Sequence, residues 1–195
     1  MPDFSPLPTQ RLAGTISVAR PAAPKSTSLS SPATEVMTDL TYIHAAVITP
    51  SSSMESANAY MIQRGVRLLL VLNPNRSLAG LITSTDILGE KPLRFIQERR
   101  VRHDEVLVSD IMTPLDKLDA ILLDEVTGTK VGHVIASLRD SGRQHTLVIE
   151  RDAGGQTTVR GIFSRSQIER QLGMQIQSTG LAHSFAEIKA RLAEN

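Results

Sequence analysis

The chain has 195 residues and a formal net charge of +1, from 21 basic and 20 acidic side chains. Hydrophobic residues make up 41% and aromatics 3%, with no Trp, so the core is aliphatic and no aromatic platform for single-stranded nucleic acid is expected. The absence of cysteine removes disulfides, thiolate metal sites and cysteine nucleophiles.

No stretch approaches the roughly 20 apolar residues of a membrane span; the longest apolar run, Leu68 to Leu72, is strand-sized. The beginning of the chain lacks the pattern of a secretory signal, so a cytoplasmic location is expected. The basic pairs Arg99-Arg100 and Arg102-His103 alternate with Glu98, Asp104 and Glu105. They read as a solvated face rather than a nucleic-acid surface.

Residues 1–33 hold six of the ten prolines and many Ser, Thr and Ala. Such a segment buries little, so a flexible N-terminal arm is expected, within which Ile16-Ser17-Val18 could add a strand. An internal repeat follows. Glu35-Val36-Met37-Thr38 returns as Asp110-Ile111-Met112-Thr113. First strands are expected at Ala46–Thr49 and Ala120–Leu123. Helical spacing of apolar residues predicts helices over Met54–Gln63 and Val131–Asp140, each stopped by a glycine, Gly65 or Gly142. Next come β-rich runs at Arg67–Leu72 and His145–Ile149, then turns at Asn73-Pro74-Asn75 and Asp152–Gly155. Further strands end in Gly80-Leu81-Ile82 and Gly161-Ile162-Phe163. Polar helix starts follow at Thr83–Asp86 and Ser164–Gln167.

The expected fold is α/β (α+β), with two β-α-β-β-α repeats packed sheet to sheet as a pseudo-twofold pair. One such unit cannot cover both faces of its own sheet. The expected divisions are an arm at 1–33, repeat one at 34–90, an inter-repeat helix and linker at 91–105, repeat two at 106–173, and a C-terminal tail at 174–195. Pro92–Arg102 is the expected inter-repeat helix. The tail carries a capping box at Ser184–Glu187 before the stripe Phe185, Ile188, Leu192.

This order of residues, Met-Thr, strand, helix, Gly, "VRLLLV", turn, "GLITSTDIL", resembles the tandem CBS domain, the regulatory module named after cystathionine β-synthase. The second copy, "SDIMTPL" through "HTLVIE" to "GIFSRSQIE", is similar but more divergent. The resemblance covers residues 34 to about 173 and implies a stand-alone CBS pair. It further implies a soluble, non-catalytic module that binds an adenine nucleotide or related ligand between the repeats. AMP, ADP, ATP and S-adenosylmethionine are the implied ligands, and no cofactor is required. A homodimer and an unidentified protein partner are also implied, with no membrane and no nucleic acid.

Copy one brings together what a nucleotide needs: a hydroxyl, a carboxylate and the unpaired amides of a helix start. By the resemblance, Thr83 takes phosphate, Asp86 the ribose diol, and Arg67 a further phosphate contact, with Val47, Leu69 and Ile82 flanking the base. The same Thr-x-x-Asp spacing also reads as a plain helix cap. In copy two, Ser164-x-x-Gln167 keeps a capping box and loses the carboxylate. Gln144 replaces the arginine and His145 adjoins it, giving a weaker second site. A histidine on an apolar strand also reads as a hydrogen-bonded packing residue. A ligand-free dimeric interaction scaffold is the alternative function. The five histidines show no metal-ligand spacing, and no Gly-x-Ser-x-Gly elbow supports an enzyme.

Overall fold

The computed structural model describes residues 5–19 and 27–176. The capping box and apolar stripe expected at 184–192 lie outside them, as does part of the arm. Residues 5–19 form no helix or strand, and Ile16 and Val18 are exposed there.

In chain order the first copy contributes strands β1 (Thr38–Asp39) and β2 (Val47–Ile48), helix α1 (Met54–Arg64), strands β3 (Leu68–Leu72) and β4 (Leu78–Thr83), and helix α2 (Ser84–Leu88). Helices α3 (Lys91–Arg99) and α4 (Val108–Ile111) connect to strand β5 (Thr113–Pro114). The second copy has β6 (Ala120–Leu122), α5 (Leu123–Val126), α6 (Val131–Asp140), β7 (His145–Arg151), β8 (Thr157–Ser164) and α7 (Arg165–Leu172).

Local chemistry sets the helix limits. Ser53 caps α1 by accepting a hydrogen bond from the Ser56 amide at 3.1 Å. Gly65 ends that helix in the left-handed region at φ 63°. The helix α6 keeps its expected span, with Ser141 as its C-cap and Gly142 (φ 64°) just beyond. The connecting helix is shorter than Pro92–Arg102. Arg100 turns left-handed at φ 54°, so the chain leaves the helix there.

Two four-stranded sheets result, with orders β2-β3-β4-β5 and β1-β8-β7-β6. Each borrows a two-residue edge strand from the other copy. The β1 strand pairs antiparallel with β8, and β5 pairs antiparallel with β4. The exchange extends to the preceding residues. The Ala33 amide donates to Thr129 O and the Val131 amide to Ser31 O, both at 2.9 Å, so residues 31–33 sit at the start of α6. Reciprocally, the Met54 amide donates to Val106 O at 2.9 Å and Val108 N to Ser52 O at 2.8 Å. The Met-Thr repeats therefore mark the crossing points between the copies.

The strands alternate faces, as period-2 geometry requires. On β3, Leu69 and Val71 face the helices of the first copy, whereas Leu68 and Leu70 face the other sheet. On β7, Val148 lies with the second-copy helices, and Leu147 joins Leu68 and Leu70 between the sheets. The two sheets thus cover each other, as the repeat pattern anticipates. His145 shares the face of Leu147, which is what brings it between the copies.

Candidate functional site

The two helix starts that look alike in sequence differ in structure. At the first, Thr83 and Asp86 form a complete capping box. The Asp86 amide donates to Thr83 Oγ1 at 3.3 Å, while the Thr83 amide and hydroxyl donate to Asp86 Oδ2 at 2.8 and 2.7 Å. The other carboxylate oxygen, Oδ1, holds Lys91 Nζ at 2.5 Å. That ammonium also donates to Ile111 O at 3.1 Å, tying the cap to α4. Both Asp86 oxygens are committed within the chain, and its side chain is 11% exposed.

At the second start the expected capping box does not form. Ser164 makes no side-chain cap, and its hydroxyl lies 3.2 Å from that of Ser166. Gln167 Oε1 instead accepts from the hydroxyl of Thr38 at 3.0 Å, across the strand exchange. The spacing of Ser164-x-x-Gln167 favours a cap, but a residue 129 positions earlier in the chain takes the amide oxygen.

This open start faces a cavity of about 980 Å³. One wall comes from the first copy: Thr38 on β1, Leu40 and residues 43–46 after it, and residues 63–68 from the end of α1 into β3. The other comes from the second copy: His145, Ile162 and Ser164, then Ser166, Gln167, Glu169 and Arg170 on α7, closed by residues 173–175.

Four of the residues expected from sequence meet here: Arg67, His145, Ser164 and Gln167. They combine Arg67 from the first-copy set with three of the second. Thr83, Asp86, Val47 and Gln144 are absent from the lining. Leu69 and Ile82 have no exposed surface and lie in the core under the first-copy helices. Strand alternation points both of these expected base-flanking residues away from the cleft.

Electrostatics distinguishes the cavity from the capped start. Burial first, then the nearby Arg67 guanidinium, lower the His145 pKa to about 4 against a weaker opposing pull from Asp86. His145 is therefore neutral at pH 7. Its Nδ1 is buried and has no hydrogen-bond partner, unlike the packing histidine the sequence suggests. Among the described residues Arg67 has no carboxylate partner, although it is adjacent to this cleft. Glu169 Oε1 accepts from Arg165 Nε at 3.2 Å and from the Ile176 amide at 2.9 Å. Among the described residues the cleft thus offers a cation without a carboxylate partner, hydroxyls and an open helix start, a set suited to an anionic group. No group of three or more His, Asp or Glu residues able to hold a metal occurs among the described residues.

Sequence reading missed Thr38, the 43–46 segment, Arg64 and Arg170. The repeated Met-Thr pair is a signal for Thr38, but its meaning depends on the strand exchange. Nothing local marks Arg64 or Arg170 as facing a cleft.

Residues 33–92 match the family model described as CBS domain. No curated protein matches the chain. Among solved structures, CBSX2, a CBS-pair protein from Arabidopsis thaliana, described in complex with AMP, is 21% identical; the match covers 72% of this chain and 94% of that one, with a TM-score of 0.51. An uncharacterized conserved protein from Pyrococcus horikoshii is 22% identical over 77% of this chain and 98% of its own, with a TM-score of 0.54. At these identities the likeness concerns the fold. Residues 33–92 thus match a CBS domain, and the two copies together have the fold of a CBS pair.

Proposed function

We propose that this chain is a non-catalytic regulatory module that binds an adenine nucleotide or related ligand in the cavity beside α7. Binding would signal to a dimer interface or a protein partner. The observation that carries the reading is the Arg67 guanidinium, without a carboxylate partner among the described residues, on a cavity of about 980 Å³ that also presents the Ser164 hydroxyl at an uncapped helix start. That volume lies at the upper end of the roughly 300–1,000 Å³ typical of ligand pockets. The structural neighbour described in complex with AMP supports a nucleotide as ligand. The site is therefore assigned to Arg67, Ser164, Gln167 and His145, with Thr83 and Asp86 as a structural cap. A ligand acts by favouring one of two states, so the strand exchange that forms one cavity wall supplies the element to bias.

Isothermal calorimetry with AMP, ADP, ATP and S-adenosylmethionine tests the proposal. Saturable heat with at least one, lost in Arg67→Gln, is the expected result. No heat with any of the four contradicts it.

A scaffold reading has its own support. Ile62 on α1, Leu88 on α2 and Leu93 on α3 are 73%, 76% and 62% exposed, and α2 packs against both other helices. Exposed apolar side chains on neighbouring helices suit a second copy of the chain or a partner. A dimer by light scattering that Ile62→Glu dissociates supports this surface. A monomer at every concentration tested removes it.

A further inference from the structure

Two large apolar side chains stand exposed on the lining of the cavity, one on each wall: Ile43 from the first copy and Met174 from the second. Tyr42, next to Ile43 in the chain, is exposed too. The backbone fixes this pair, since the amides of Tyr42 and Ile43 both donate to Asp39 O, at 3.2 and 3.1 Å. Apolar groups gathered at the mouth of a cavity form a surface that a further apolar face can cover.

The described part of the chain ends beside that mouth. Residues 173–175 line the cavity, and Ile176 is buried in the second-copy core, its amide donating to Glu169 Oε1 at 2.9 Å. Beyond it, residues 184–192 carry the capping box Ser184–Glu187 and the apolar stripe Phe185, Ile188, Leu192. A helix this short is marginal alone in water and gains its stability by burying one face. Residues 177–183 form the tether, which spans at most about 25 Å when extended. So short a tether holds the stripe near the mouth at a high effective concentration, so that even weak docking fills the surface. The segment carries Glu187 against Lys189 and Arg191, so apolar burial rather than attraction to the cavity arginines drives the contact. The other exposed apolar group includes Leu88 on α2 and Leu93 on α3, and neither of those helices lines the cavity from which the tail departs.

We infer that residues 184–192 dock as an amphipathic helix on the cavity mouth of the same chain, with Phe185, Ile188 and Leu192 against Ile43 and Met174.

The chain has no cysteine, so an introduced pair reports its own proximity alone. Two pairs are compared in the full chain at high dilution with a short bismaleimide: His44→Cys with Lys189→Cys, and Gln97→Cys with Lys189→Cys. His44 lines the cavity beside Ile43, and Gln97 lies one turn beyond Leu93 on α3; all the apolar residues stay in place. The first pair is expected to link within one chain severalfold faster than the second, and Phe185→Glu with Leu192→Glu to remove that advantage. Hydrogen exchange on the cysteine-free chain is the second measurement. Amides 188–192 are expected to be protected, and Phe185→Glu to reduce that protection severalfold. Equal linking rates for the two pairs, or amides that exchange as in an unstructured peptide, overturn the inference. Faster linking in the Gln97→Cys pair overturns it in favour of the helix face around Leu93. Links between chains that grow with protein concentration overturn docking within one chain and make a second copy the occupant.

Discussion

At the scale of single residues, neighbours decide what each side chain is for. His145 is held neutral by burial and by Arg67. Removing that cation in Arg67→Gln should raise the His145 pKa from its value of about 4, by a shift readable in an NMR titration of the imidazole resonances. An unchanged value would show that burial alone sets it. Asp86 is a cap and an ion-pair partner, so Asp86→Asn should destabilise the fold by about 1–2 kcal/mol in chemical denaturation. Two glycines make a paired experiment. A Cβ at Gly80 would run into the backbone oxygen of Thr113, whereas one at Gly161 would meet the Met37 side chain, with Sδ at 2.6 Å. Backbone cannot step aside and a thioether can. Gly80→Ala should therefore cost about 1–3 kcal/mol and Gly161→Ala clearly less. Equal losses would contradict this account of the exchange.

At the scale of elements, the exchanged strand β1 is fastened by charge. Arg160 Nη1 on β8 lies 2.7 Å from Asp39 Oδ2, and Thr41 donates to Asp39 Oδ1 through its amide and its hydroxyl. Burial alone would raise the Asp39 pKa, but the Thr41 hydrogen bonds and the Arg160 charge outweigh it, and the value falls below the usual carboxylate range. A carboxyl with a lowered folded pKa adds stability above its unfolded value, and that contribution is lost as pH drops through the folded value. Stability should therefore fall with acid below about pH 4. Asp39→Asn should flatten that part of the pH–stability curve, measured by urea melts at successive pH values.

These elements also show how far the sequence could be read. Helix α1 was legible because an apolar spacing and Gly65 are local signals. The long strands β3 and β7 were legible from their β-branched and aliphatic runs. The exchange of β1 and β5 was not, because two-residue strands carry no periodicity. The site suffered from the same gap. Arg67, His145, Ser164 and Gln167 stood out as residue types, but their grouping depends on which face of which sheet each occupies. Placing Arg67 beside the Thr83 start holds for the backbone, where the Ser84 amide donates to Arg67 O at 3.0 Å, but the cleft that Arg67 lines is shared with α7. The bond from Thr38 to Gln167 is beyond any local pattern.

At the scale of the whole molecule, two similar copies give two unlike half-sites. One helix start is filled by its own chain, with Thr83, Asp86 and Lys91 satisfying one another. The other is left open by the capture of Gln167 and lies on the cavity. The pseudo-twofold arrangement is thus broken in chemistry while kept in fold. Strand exchange makes the first-copy wall of the cavity part of the same unit as β8, so an occupant touching Thr38 and Ser164 contacts both copies at once. The claim most open to a direct check is that binding belongs to this open side. The measurement is nucleotide titration by calorimetry of the wild-type chain, Arg67→Gln and Asp86→Asn side by side. A charge-assisted contact contributes about 1.5–3 kcal/mol, so Arg67→Gln should weaken binding by about tenfold or more, while Asp86→Asn should leave the affinity unchanged. Loss of binding in Asp86→Asn with full affinity in Arg67→Gln would contradict the account and return the site to the capped start.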